Sequence, residues 1–157
     1  AVYGSTTDLG WFTEEIAPGA ARRNLETSPD VRALIDHNPS LIFARTEAGN
    51  LKLREDSVGL FFEAGPLPDT TIARDLLENM RVGNISQCSF AFYVTDYEWE
   101  MRNGKDHRVI KEVELVDVSV VTYPAYADTS AQVAQARSLQ EVFDARPKSA
   151  PSGPSRE

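Results

Sequence analysis

Arg108-Val-Ile-Lys-Glu-Val-Glu-Leu-Val-Asp-Val-Ser-Val-Val-Thr-Tyr-Pro124 decides the fold. Its β-branched and apolar residues alternate with polar ones for longer than any turn allows, and proline stops it. This is the pattern of a long strand, or of a bulged pair of strands. The stretch also carries an anomaly. Asp117 stands among valines and leucine, where an unpartnered carboxylate is costly to bury. In an ideal strand it shares a face with Leu115 and Ser119, and Glu114 lies opposite. A charge at a sheet rim is the plain alternative. If a bulge changes the register, Glu114 takes the place of Asp117.

Just upstream, the strand segment Ile85–Val94 is followed by Asp96–Met101, and Arg102-Asn103-Gly104-Lys105 is a strong turn signal. Further toward the N-terminus, a strand is predicted near Trp11–Ile16. A short helix follows, with Pro18 in its first turn. Val31–His37 reads as a strand stopped by an Asn38-Pro39 turn. Leu41–Thr46 and Leu51–Arg54, joined through Ala48-Gly49-Asn50, read as a hairpin, and Gly59–Glu63 as another strand. Asp69 is placed to cap a helix with an apolar stripe of Ile72, Leu76, Leu77 and Met80, closed by Gly83. Beyond Asp128, short helices are predicted around Ala131–Arg137 and from Ser138.

Short strands outnumber helices. The fold class is therefore mainly β with peripheral helices (α+β), and a small barrel suits it. One domain spans residues 1–145. Residues 146–157, where three prolines stand among Ser, Gly and Lys, are expected to form a flexible tail.

Composition narrows the function. The chain has 157 residues, enough for one stable core. Its net charge of −8 argues against a nucleic-acid partner. No apolar run reaches the length of a membrane span, and no secretory pattern opens the chain. The single cysteine, Cys88, leaves no internal disulfide and permits a reducing compartment. The first residue is Ala1 rather than methionine, which points to a trimmed or processed chain. Two separated histidines and one cysteine match no zinc spacing, and no phosphate-binding glycine loop occurs, so neither metal nor cofactor is predicted.

What remains is a hydroxyl, an imidazole and a carboxylate in apolar strand settings: Ser89 in Cys-Ser-Phe-Ala-Phe, His37 in Leu-Ile-Asp-His-Asn-Pro, and Asp117. These are the parts of a nucleophile–base–orienter relay. Ser89 shares a strand face with Ala91 and Tyr93, which is either a site or a crowded core. A serine bonded to a neighbouring strand is its plain alternative. A neutral imidazole at the end of a strand suits a base near pH 7, though a structural histidine fits the same position. His107, between Asp106 and Arg108 beside the turn, is predicted to be solvated. The order His, Ser, Asp differs from that of the familiar serine hydrolases, and no Gly-x-Ser-x-Gly elbow is present.

The chain resembles the prohead (capsid maturation) proteases of tailed bacteriophages, which are distantly related to herpesvirus assemblins. The matching segments are Glu15–Ala20, Val31–Ser40, Ala44–Thr46, Leu51–Leu53, Leu67–Thr70, Ser89–Phe92 and Glu112–Tyr126. This resemblance implies an assemblin-like closed barrel of mostly antiparallel strands. It implies His37 as base, Ser89 as nucleophile and Asp117 as third member. Oxyanion donors would come from the loop after the third strand, at Thr122 and Tyr123. The implied activity is a serine endopeptidase that cleaves scaffold or capsid-protein segments, and itself, inside an assembling viral prohead in the host cytoplasm. Its partners would be a scaffold protein, or a scaffold segment of the major capsid protein, together with self-association. A non-catalytic assembly module retaining the barrel is the alternative.

Overall fold

The structure is a computed structural model and describes residues 2–123. The helices expected beyond Asp128 and the tail at 146–157 lie outside the described residues. The elements run in the order β1 (Thr7–Asp8), β2 (Thr13–Ile16), α1 (Arg22–Glu26), β3 (Arg32–Ile35), β4 (Asn38–Arg45), β5 (Leu51–Glu55), β6 (Leu60–Ala64), α2 (Thr71–Arg81), β7 (Gln87–Arg102) and β8 (Lys105–Val121).

The organising element is β8, the stretch singled out by its pattern. Along one edge it pairs antiparallel with the whole of β7, from Arg102↔Lys105 to Gln87↔Val121. The turn between them places Asn103 and Gly104 at φ 51° and 76°, the positive values that a two-residue hairpin turn requires. On the other edge two strands lie end to end, both parallel to β8. β2 pairs with it from Thr13↔His107 to Ile16↔Ile110, and β3 from Arg32↔Asp117 to Ile35↔Val120.

The gap between β2 and β3 is filled by the connection carrying α1. Ala17 N–H donates to Ile110 O, Val113 N–H to Ala20 O, and Leu115 N–H to the Asn24 side-chain oxygen. Backbone groups that would otherwise be orphaned inside the sheet thereby find partners. α1 begins at Arg22, so Pro18 precedes the helix instead of opening it.

β4 pairs antiparallel with β3, and β5 with β6 in a separate two-stranded sheet. The hairpin expected between Leu41–Thr46 and Leu51–Arg54 does not form. The Asn50 side chain accepts the Arg45 N–H, Gly49 N–H donates to Thr46 O, and the chain leaves the large sheet at that point. Because the chain leaves the large sheet after β4, the expected closed barrel does not form among the described residues. Among the described residues the large sheet runs β1-β2-β8-β3-β4 with β7 on β8, and no pairing joins its ends. The mainly β, α+β character stands; the closure does not.

The small sheet and α2 contribute to one core with β7 and β8. Leu51, Leu60 and Leu76 cluster with Phe90, Phe92, Val113, Leu115, Val118 and Val120. Phe62 of β6 meets Phe90 edge-on, at 6.0 Å between ring centroids. Thr70, not Asp69, caps α2, its hydroxyl accepting the Ala73 N–H at 3.2 Å. Only Ala73 and Leu76 of that helix are buried, while Leu77 and Met80 of the expected stripe are about half exposed.

The core positions on β8 change phase along the strand. Val113 and Leu115 face the core, and so do Val118 and Val120, because a bulge at Val116 inserts one residue between the pairs Phe92↔Leu115 and Ala91↔Asp117. Leu115 and Asp117 therefore do not share a face. The bulge rotates Asp117 and Ser119 onto the face away from the core, where bulges near functional sites commonly re-aim side chains.

At the far end of β8, His107 is fully buried, not solvated, because β2 lies along it. Its Nδ1 is 2.7 Å from the Thr13 hydroxyl. Burial first, and the Arg102 guanidinium second, hold its pKa below the ordinary 6.5, against the pull of Glu15 and Glu100. The unfolded chain then binds the proton more readily than the folded one. The contribution to stability is complete above about pH 6.5 and is lost as pH falls through the folded value. Melting temperature is expected to drop on acidification below that point, and His107→Gln should flatten this part of the profile in thermal melts against pH.

Candidate active site

The two residues between β3 and β4 are Asp36 and His37, flanked by the pair Ile35↔Asn38. Both have positive φ, 50° and 54°, so His37 lies in the turn itself and not at the end of a strand that turns at Asn38-Pro39. Aspartate and histidine tolerate this region better than most side chains. Even so, each left-handed residue costs roughly 1–3 kcal/mol and persists only where its surroundings hold it.

β8 supplies that hold. Asp36 N–H donates to Val120 O at 2.9 Å. His37 N–H donates to the Ser119 hydroxyl at 3.2 Å, and the imidazole Nδ1 lies 2.6 Å from Asp117 Oδ1. A neutral imidazole paired through Nδ1 with an ionised carboxylate carries its hydrogen there, which leaves Nε2 as the ring's acceptor. Ser119 donates its own hydroxyl proton to the same Asp117 oxygen at 2.9 Å. This serine therefore joins both ends of the contact, gripping the carboxylate with its proton and the histidine backbone with its lone pair.

Ser89 enters through strand register. It stands directly opposite Ser119 across the β7–β8 ladder, and Ala91 stands opposite Asp117. Directly paired residues of an antiparallel ladder project to the same face, with Cβ atoms about 4.5–5.5 Å apart. Ser89, Ala91, Asp117 and Ser119 thus share one face, while Phe90, Val118 and Val120 take the core face. Leu34, paired to Ser119 from the β3 side, is buried there as well.

Ser89, Asp117 and Ser119 are each at most 4% exposed. The two serines differ in how their hydroxyls are occupied. The Ser119 proton is committed to Asp117. The Ser89 Oγ is buried and has no hydrogen-bond partner among the described residues. A buried hydroxyl left unpaired in this way is costly and calls for an explanation.

The predicted site residues thus fare differently. His37 and Asp117 are in direct contact, and Ser89 is brought to the same face beside Ser119. Glu114, the alternative to Asp117, is exposed and pairs with Tyr93 on β7. At the predicted oxyanion position, the Thr122 N–H donates to Asp36 Oδ1 at 2.8 Å and the Thr122 hydroxyl donates to Oδ2 at 3.0 Å. Tyr123 is largely exposed.

Two residues of the cluster go unassigned in the sequence. The Asp117-Val-Ser119 spacing, with both residues on one strand face, is the available signal for Ser119. For Asp36 no signal exists, since its partner lies 86 positions away.

No curated protein and no solved structure matches the chain. The family model of the caudovirus prohead serine proteases does match, over residues 1–144. A chain matched over nearly its whole length, and carrying a histidine–aspartate contact beside a buried serine, belongs to the caudovirus prohead serine protease family.

Proposed function

We propose that this chain is a serine endopeptidase of capsid maturation in which Ser89 is the nucleophile, His37 the base and Asp117 its orienting carboxylate. One observation carries the reading: the 2.6 Å contact between His37 Nδ1 and Asp117, on the face where register places Ser89. With Nδ1–H held by Asp117, Nε2 takes the Ser89 proton as Oγ attacks a peptide carbonyl. Asp117 then faces the imidazolium that forms. The same proton passes to the leaving amine, and water activated by His37 releases the acyl group. Ser119 does not compete as nucleophile, because its proton is already given to Asp117. Backbone donors for the oxyanion must come from groups other than the Thr122 N–H while Asp36 holds it.

Membership of the family supports action inside the immature viral shell, within the host cell. The substrates in this reading are scaffold segments, either a separate scaffold protein or a part of the major capsid protein, and the chain itself. Co-expression with the neighbouring capsid protein, followed by intact-mass measurement of both chains, tests it. Defined truncations of the capsid protein that vanish with His37→Ala are expected. Intact capsid protein in shells that still assemble would instead favour a non-catalytic assembly module.

A further inference from the structure

The turn that carries His37 is bound to β8 by more than the groups that touch the imidazole. Asp36 spreads its carboxylate over a single residue, Thr122. Oδ1 accepts the backbone N–H at 2.8 Å, and Oδ2 accepts the hydroxyl at 3.0 Å. Thr122 directly follows the last residue of β8, whose Val121 still pairs with Gln87 of β7. The carboxylate therefore ties the turn to the same stretch of β7–β8 that carries Ser89. Bonds to a charged acceptor are shorter and stronger than neutral ones, and two from one residue fix orientation as well as distance.

We propose that Asp36 is a positioning residue: its two-point grip on Thr122 sets the His37 imidazole relative to Asp117 and Ser89. The inference rests on the reading of His37 as the base. The turn keeps its fold without the grip, since the Ile35↔Asn38 pair and the β3–β8 ladder remain. What is lost is the lateral restraint on a two-residue tip whose second member carries the reacting ring. Misplacement of a reacting group by about 1 Å is enough to cost on the order of a hundredfold in rate.

Three variants separate the grip from the backbone conformation. Asp36→Gly removes the carboxylate yet favours the positive φ. Asp36→Ala removes the carboxylate and disfavours that φ. Asp36→Asn keeps an oxygen for the Thr122 N–H, and its amide N–H can donate to the hydroxyl in place of the second bond. With melting temperature monitored alongside, kcat is expected to fall about ten- to hundredfold in both Asp36→Gly and Asp36→Ala. KM should barely change, and Asp36→Asn should recover most of the loss. A second readout does not depend on cleavage. The chain has two histidines, so imidazole nitrogen NMR resolves His37 once a His107→Gln spectrum assigns the other. The downfield Nδ1 proton held by Asp117 should persist in wild type and Asp36→Asn and broaden in Asp36→Gly.

Wild-type kcat in Asp36→Gly, an Asp36→Asn variant as impaired as Asp36→Gly, or an unchanged His37 resonance in Asp36→Gly would each overturn the proposal. Its failure is distinct from failure of the relay itself. A His37 resonance that responds to Asp36→Gly, in a chain whose Ser89→Ala variant cleaves normally, supports the grip and removes the catalytic reading.

Discussion

Ser89→Ala is expected to lower peptide-bond cleavage by on the order of 10⁶, with the fold intact. Of two facing serines, only Ser89 has a hydroxyl not engaged with another described residue. Ser89 and Ser119 are paired across β7 and β8 and share one face. Ser119 gives its proton to Asp117 and accepts the His37 N–H, whereas the Ser89 Oγ is buried and unpartnered among the described residues. In the proposed relay, removing the Ser89 hydroxyl removes the attacking atom. It also relieves a buried polar group of its desolvation cost, so melting temperature should hold or rise slightly. Ser119→Ala should behave in the opposite way. It leaves the nucleophile but frees the Asp117 carboxylate and the His37 turn, costing about ten- to hundredfold in rate and lowering stability. Steady-state cleavage of a capsid-derived peptide by the two variants, with thermal melts in parallel, checks both halves.

Asp117→Asn is expected to cost on the order of 10⁴ in kcat, as loss of the orienting carboxylate does in other serine proteases. An amide presents a donor as readily as an acceptor to the ring. With a donor at Nδ1, the imidazole hydrogen moves to Nε2, and the ring can no longer accept the Ser89 proton. An amide also carries no charge to face the imidazolium. Glu114→Gln, on the exposed side of the bulge, should leave kcat unchanged. A strong loss in Glu114→Gln with little in Asp117→Asn would transfer the orienting role to Glu114. The two substituted positions lie three residues apart on the same strand, so their comparison under identical conditions is direct.

The elements with an internal signature are legible in the sequence itself. The Asn103-Gly104 turn and the long β8 follow from turn chemistry and period-two patterning alone. So does the presence of Asp117 in a setting that demands a partner. The two segments read before the turn join into the single β7 because β8 pairs along all of it. The departures have a common cause, which is partners supplied by distant segments. His107 has the local sequence of a solvated residue beside a turn, but β2 covers it in a pairing spanning 94 positions. The Asn38-Pro39 dipeptide carries the turn signal, yet Asp36-His37 turns instead, because β8 stabilises two residues at positive φ that isolated propensity disfavours. The Val116 bulge breaks the face that Leu115 and Asp117 are expected to share, keeping Leu115 in the core and turning Asp117 to the site side. The β4–β5 hairpin is a sound local reading that loses to the β3–β4 and β5–β6 pairings. In α2 the stripe is real in period but too wide, since only the Ala73–Leu76 line meets the core.

The central claim is that Ser89 is an activated nucleophile and not a serine serving the sheet. Its most direct measurement is to react the protein with a fluorophosphonate during co-expression with the capsid protein and to locate the adduct by peptide mass spectrometry. The expected result is a single phosphonylated residue, Ser89, with labelling lost in His37→Ala. An adduct on Ser119 or elsewhere, or undiminished labelling in Ser89→Ala, would contradict the account.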